Sequence, residues 1–325
     1  MATVVCLHID MIGSVKAGLA MHALQFESFN REWIRYSYGE IESFCPEGCQ
    51  IKSAGDGWLL FSENLNMVHA FVALAKTLAT NFQRDVAALP RLKNVRLPEL
   101  RLAVCTGDDI KVAWGNESDW QGDSARRAHR AAQCARPNQV IINDAVREKI
   151  LRVFHIRRIQ ESELPQRWKE EEDFSVFHVG NIFAELATAL EEEPDPAIYL
   201  PYSTFLKRTG YFSEAERAFR NIRRAVVGAH DTSSSCLTNP ADIAKRKELG
   251  AKLRKLLCNA PSDEIRDGLV HDMMRLDVPP TLHVYTHLMR IADTYEGAVN
   301  WYRRMDRNRV EPDAITLNTL IARCM

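Results

Sequence analysis

The sequence predicts an α+β domain followed by an all-α domain, and three observations carry that expectation. Short apolar runs in the first half end on Gly and Asp, as strands bounded by turns do. Between them lie two long stretches with apolar residues at helical spacing. From residue 183 onward the pattern is helical to the end. A chain of 325 residues can build two cores. The expected division is 1–182 and 183–325, near the charged, proline-broken stretch Glu191-Glu192-Glu193-Pro194-Asp195-Pro196.

Taken in order, Thr3-Val4-Val5-Cys6-Leu7-His8-Ile9-Asp10 is a strand that ends on an aspartate. Residues 14 to about 44 form a helical stretch with Leu19, Ala23, Phe26, Phe29, Trp33 and Ile34 as a packing stripe. Gln50–Phe61 is a hairpin across Gly55-Asp56-Gly57, because Asp-Gly supplies the positive φ that a tight turn needs. Met67 to about Asp85 is a helix turning Val68, Phe71, Val72, Leu74, Ala75, Leu78 and Phe82 inward. Leu100–Cys105 and Lys111–Trp114 are short strands about a Gly-Asp-Asp turn, and 121–135 is a helix. Strands follow near Val140–Ile142, Phe154–Ile159 and Phe174–Val179, an order of the ferredoxin-like kind.

The second half carries copies. Val278–Met289 and Val310–Ile321 align, with Pro280 and Pro312 separated by nearly the 34-residue period of helix-hairpin repeats. Gly210–Phe219 and Glu296–Tyr302 fit the same pattern, so a short tetratricopeptide- or pentatricopeptide-like solenoid is expected.

Composition narrows the function classes. The chain has 42 Lys+Arg against 43 Asp+Glu, a net charge of −1, so no global basic field calls for nucleic acid. No apolar run of about 18 residues and no basic leader is present, so a soluble, cytoplasmic protein without membrane contact is expected. Eight cysteines lie at 6, 45, 49, 105, 134, 236, 258 and 324; Cys45 and Cys49 are the close pair, without a histidine at zinc spacing, and all read as reduced thiols.

Asp10 and Asp56 end or join neighbouring strands, where two carboxylates can share a divalent metal with a substrate's phosphates. Asp56 also suits a plain turn. After Asp10, Met11-Ile12-Gly13-Ser14 opens a helix whose first N–H groups can face phosphates.

These residues resemble a family. Ile9–Ser14, Lys52–Asp56, Leu102–Gly107 and Asp119–Arg130 match, in order, the motifs of class III nucleotidyl cyclase catalytic domains, over roughly the first half of the chain. The resemblance implies attack of a ribose 3′-oxygen on the α-phosphorus of a nucleoside triphosphate, with pyrophosphate leaving. It implies two Mn²⁺ or Mg²⁺ ions on Asp10 and Asp56, with a backbone carbonyl of Met11 or Ile12 as a further ligand. Gly13 and Ser14 then sit at the phosphates, Arg130 steadies the pentavalent phosphorus, and Lys169 reaches the triphosphate tail. A head-to-tail homodimer with shared sites follows from the same resemblance.

Two positions depart from the family: Arg126 replaces its ribose-holding asparagine, and Asp108 its usual arginine after Thr106-Gly107. His129 beside Arg130 reads as a packed helix histidine. Lys52 and Asp119 match the base-reading pair, one donating and one accepting. Adenine, cytosine and uracil all satisfy that polarity, so pocket size must decide, and Trp120 and Arg126 are bulky. The chain thus resembles the pyrimidine cyclases of bacterial antiphage (Pycsar-type) signalling. UTP or CTP is expected ahead of ATP. The competing classes are an inactive cyclase fold used for dimerisation and an RNA-binding solenoid; a protein partner suits the balanced charge of the repeats better.

Overall fold

The computed structural model describes residues 1–325 apart from 46–48, 89–91, 93–96, 115–116, 151–153, 166–174, 183–195, 229–239, 261, 293 and 324–325. Two compact units divide the chain: Met1–Ala189 with Pro201–Glu214, and Leu190–Leu200 with Ala215–Met325.

The first unit is a mixed sheet with helices. Strand β1 (Ala2–Ile12) is its centre because Val4, Val5, Cys6, Leu7 and Ile9 are apolar on both faces, and all are fully buried. The hairpin strand β3 (Gly57–Ser62) pairs antiparallel on one side, with Ile9 opposite Trp58. On the other side β4 (Glu99–Trp114) pairs antiparallel along the whole of β1, from Ala2 opposite Asp109 to Ile12 opposite Glu99. With β2 (Gln50–Ala54), β5 (Glu117–Gly122), β6 (Gln139–Asn143), β7 (Phe154–Arg158) and β8 (Val176–Ile182), the order is β2-β3-β1-β4-β6-β8-β7, with β5 paired to β4. Only β4 and β6 run parallel among the described pairs.

Alternation along β1 separates two layers. Val4 and Cys6 join Phe61, Ala103, Cys105 and Trp120 beneath Ala128, Ala131 and Ala132 of α4 (Asp123–Gln133). Met11, on the opposite face, shares a cleft with Phe29 and Trp33 of α2 (Ala23–Phe44). Helix α3 (Met67–Ala87) lies against α2, where Trp33 and Phe82 meet edge to face at 5.1 Å. All seven inward residues expected on α3 are buried. The segment 201–214 belongs to this unit: Tyr202 OH meets His69 Nδ1 at 2.9 Å, and Asn81 donates to the Arg208 carbonyl at 2.8 Å.

Several expectations need correction. The stretch from 14 to 44 is broken into α1 (Ser14–Ala20) and α2, with His22 capping α2 together with Gln25. Phe29 and Trp33 are buried, but Leu19, Phe26 and Ile34 are exposed, so the stripe is only half packed. Gly107-Asp108-Asp109 is not a turn. It continues β4, opposite Val4, Thr3 and Ala2, because Thr3 donates to Asp108 at 2.9 Å and Asp109 is buried as the acceptor for the Ser124 N–H at 2.9 Å. The tight hairpin turn is Gly55-Asp56, with Ala54 opposite Gly57, and its positive φ falls on Gly55 at 66°. Strand β5 and the short helix α5 (Asp144–Arg147) were not expected.

The described elements of the second unit are helices: Pro196–Arg208 (to Leu200), Phe212–Gly228 (from Ala215), Pro240–Asn259, Asp263–Arg275, Leu282–Ile291, Tyr295–Arg307 and Ala314–Ala322. Ser262, Thr294 and Asp313 cap three of them by accepting from the N–H groups of Ile265, Gly297 and Thr316. Leu269, Met273, Tyr285, Leu288, Trp301 and Met305 form its interior. No helix among the described residues is long and apolar enough to cross a membrane.

Candidate functional site

The hairpin corner lies directly on the end of β1. A Cβ on Gly57 would stand 1.9 Å from the Ile9 carbonyl oxygen and 3.2 Å from Asp10 Cα, so only glycine permits this approach. The backbone of the corner is thereby fixed beside Asp10, and Asp56 opens onto a cleft of about 660 Å³ with Met11, Ser14, Ser53 and Trp58 in its lining. Trp58 is held by a 2.9 Å bond from its Nε1–H to Ser37 Oγ.

Asp10 does not line that cleft. It is engaged by Arg101, its register partner on β4, and both side chains are half-buried. The structure therefore joins the two motifs through their backbones, with the Asp10 carboxylate on Arg101 and Asp56 in the lining of the cleft. Arg101 was not singled out from the sequence; antiparallel pairing of β1 with β4 is what brings it opposite Asp10. His8, two residues back on the same face, is buried with Nδ1 unpartnered among the described residues. Burial pushes its imidazole down to about 4; Asp10 works against that, while His129 and Arg101 add to it. The His8 and His129 rings meet edge to face at 5.1 Å, but His129 is exposed on its helix rather than packed, with Gln133 at 2.7 Å.

Past Ile12, Gly13 adopts a left-handed φ of 77° and precedes α1, whose first turn has no side-chain cap. Its opening N–H groups lack intrahelical partners. Met11 is buried and lines the cleft, and Ile12 is half-buried.

Lys52 and Asp119 meet. The β4–β5 arm folds back so that β5 reaches β2: Gln50 donates to the Ser118 carbonyl at 2.6 Å, and Lys52 forms an ion pair with Asp119. Lys52 also lies 5.2 Å above the Phe61 ring. Trp120, one residue on, turns into the core at 7% exposure under Lys111, so its bulk is not at the surface.

Helix α4 presents the two arginines one turn apart. Its start is set by Asp109 and by Gly107, where a Cβ would stand 2.5 Å from Ser124 N. Arg126 is exposed and bonded to Asp123, which also takes Arg127; burial would raise the Asp123 carboxyl, and the two guanidiniums hold it below its ordinary value. Arg130 is half-buried on the same helix. Lys169 lies outside the described residues.

No protein-family model matches the chain, and no curated protein does. Solved structures similar to it include the adenylyl cyclase CyaB from P. aeruginosa, at 14% identity and a TM-score of 0.46 over 56% of this chain and 95% of that one. The guanylate cyclase domain of RhGC from Catenaria anguillulae, in complex with GTP, aligns at 12% identity and 0.45, over 56% and 98%. Adenylate cyclases from Trypanosoma brucei in their monomeric state align at 14% and 0.43, over 55% and 90%.

Proposed function

We propose that the chain is a nucleotidyl cyclase, converting a nucleoside triphosphate to a 3′,5′-cyclic mononucleotide and pyrophosphate. The observation that carries this reading is the Lys52–Asp119 pair, a donor and an acceptor from two distant motifs held side by side by the β2–β5 contact. Such a pair reads one edge of a base. Asp119 accepts from the exocyclic amine or ring N–H, and Lys52 donates to the neighbouring ring nitrogen or carbonyl.

Asp10 and Asp56 with a Met11 or Ile12 carbonyl make an all-oxygen donor set, which suits Mg²⁺ or Mn²⁺. Asp10 already pairs with a cationic group, the Arg101 guanidinium. A pair of divalent ions would lower the pKa of the attacking hydroxyl and neutralise the phosphates. The chain's own residues do the rest. The uncapped start of α1 at Gly13 and Ser14 offers N–H groups to the phosphates, and the planar, permanently charged Arg130 stabilises charge on the phosphoryl oxygens. Arg126 is proposed at the ribose or the phosphates, and Lys169 at the triphosphate tail.

The finer proposal is a pyrimidine triphosphate, UTP or CTP, with the product serving as an antiphage signal, and ATP as the alternative. Arg126 supports it by adding bulk where the family has asparagine. Burial of Trp120 removes the other half of that support. A head-to-tail homodimer and a protein-binding role for the helices of the second unit complete the reading. Incubation of the full chain with Mn²⁺ and each of the radiolabelled ribonucleoside triphosphates tests base choice. Cyclic UMP or cyclic CMP is the expected product, and cyclic AMP alone would overturn the pyrimidine proposal.

A further inference from the structure

We propose that the cleft between α1, α2 and the β2–β3 corner binds an amphiphilic organic cation, with its ammonium at Asp56 and its apolar body against the aromatic side chains of the walls. The cleft holds about 660 Å³, within the roughly 300–1,000 Å³ of small-molecule sites. It lies wholly within the first unit, and its lining comes from the end of β1, the two helices and the hairpin.

The walls are set by packing. Gly18 brings α1 close to α2, since a Cβ there would stand 2.9 Å from Phe26 Cε2. Trp33 packs on Phe82 at 5.1 Å, and Trp58 is fixed by its bond to Ser37 and by the Tyr38 ring at 6.3 Å. The rim is open. Val15, Leu19, Phe26 and Ile34 all belong to the lining and all are exposed, Val15 to 75% and Leu19 to 84%. Apolar surface gathered around a concave site gains from covering by an apolar ligand.

Charge selects which apolar ligand. Among the residues that line the cleft Asp56 alone is charged, and the other polar side chains are Ser14, Asn30 and Ser53. Asp56 is half-buried, and no ion pair or hydrogen bond reaches its carboxylate among the described residues. An anionic ligand would bring like charge to it, and a neutral one would strip water from the carboxylate without replacing it. A small inorganic cation would satisfy Asp56 and leave the apolar walls wet. A cation with an apolar body answers both demands, and the Trp33 and Trp58 rings add attraction for an ammonium. If Asp56 also holds the metal of the proposed cyclase, a cation seated there blocks turnover; that consequence rests on the proposed function, and the binding itself does not.

Titration calorimetry of the full chain, without metal or nucleotide, tests the proposal with three compounds of one shape: 4-phenylbutylamine, 4-phenylbutanol and 4-phenylbutyrate. The amine is expected to bind about tenfold tighter than the alcohol, and the carboxylate weakest of the three. Asp56→Asn keeps a good turn residue at the corner and should lower the amine to the level of the alcohol. Leu19→Ser, at an exposed rim position, should weaken amine and alcohol alike by about fivefold. Equal affinity for amine and alcohol, or an amine affinity unchanged in Asp56→Asn, would overturn the proposal. So would a folded protein that binds none of the three. A dimer that excludes the amine and that Leu19→Ser dissociates would also overturn it, because a second copy of the chain would then cover the cleft.

Discussion

Lys76 shows how a single side chain sets a pH dependence. It is buried on α3 and donates to the Val179 carbonyl at 3.2 Å, and burial lowers its ammonium to about 8. Its folded pKa is below its unfolded one, so between about 8 and 10.5 the unfolded chain binds more protons and stability rises with pH. Below about 8 the full cost of the buried charge is present. Lys76→Met should therefore stabilise the protein at pH 7 by roughly 1–2 kcal/mol, after allowance for the carbonyl left unpaired. The gap should close as pH approaches 10, which urea unfolding at the two pH values measures. The class III cyclase resemblance singled out Lys52 and Asp119, and the β2–β5 contact brings the two together. Residue-level reading of the sequence missed Arg101, since nothing local marks an arginine whose meaning comes from the residue opposite it on another strand. It gave Trp120 a place in the pocket because the face of an unrecognised strand cannot be assigned.

At the scale of elements, close backbone approach decides more than propensity. The β2–β3 corner can rest on β1 only while position 57 lacks a side chain. Gly57→Ala is expected to cost about 2–3 kcal/mol in urea unfolding, because a strand must move to admit the methyl group. Turnover should fall about a hundredfold, since Asp56 travels with the corner. Helix α3 was legible because its apolar residues hold a 3.6-residue period without interruption over Met67–Ala87. The α1–α2 break was not, because histidine is a poor N-cap by itself and His22 succeeds only through its reciprocal bonds with Gln25. Gly107-Asp108-Asp109 has the composition of a turn. It stays in the ladder because Asp109 receives two bonds from Ser124 inside the protein, a tertiary effect that no local window contains.

For the whole molecule, the shared-site proposal makes a quantitative demand. If one subunit supplies Asp56 and the other Arg130, Asp56→Ala and Arg130→Ala should each be inactive alone. Mixed and allowed to exchange, they should regain about a quarter of wild-type activity, because half the dimers are hybrids with one intact site. No recovery on mixing would show that each site lies within one chain. The central claim is tested most directly by following the products when the full chain is given Mn²⁺ and an equimolar mixture of the ribonucleoside triphosphates. A cyclic mononucleotide and pyrophosphate are expected in equal amounts, both lost in Asp56→Ala. Intact triphosphates, or the same products at the same rate from Asp56→Ala, would contradict the claim.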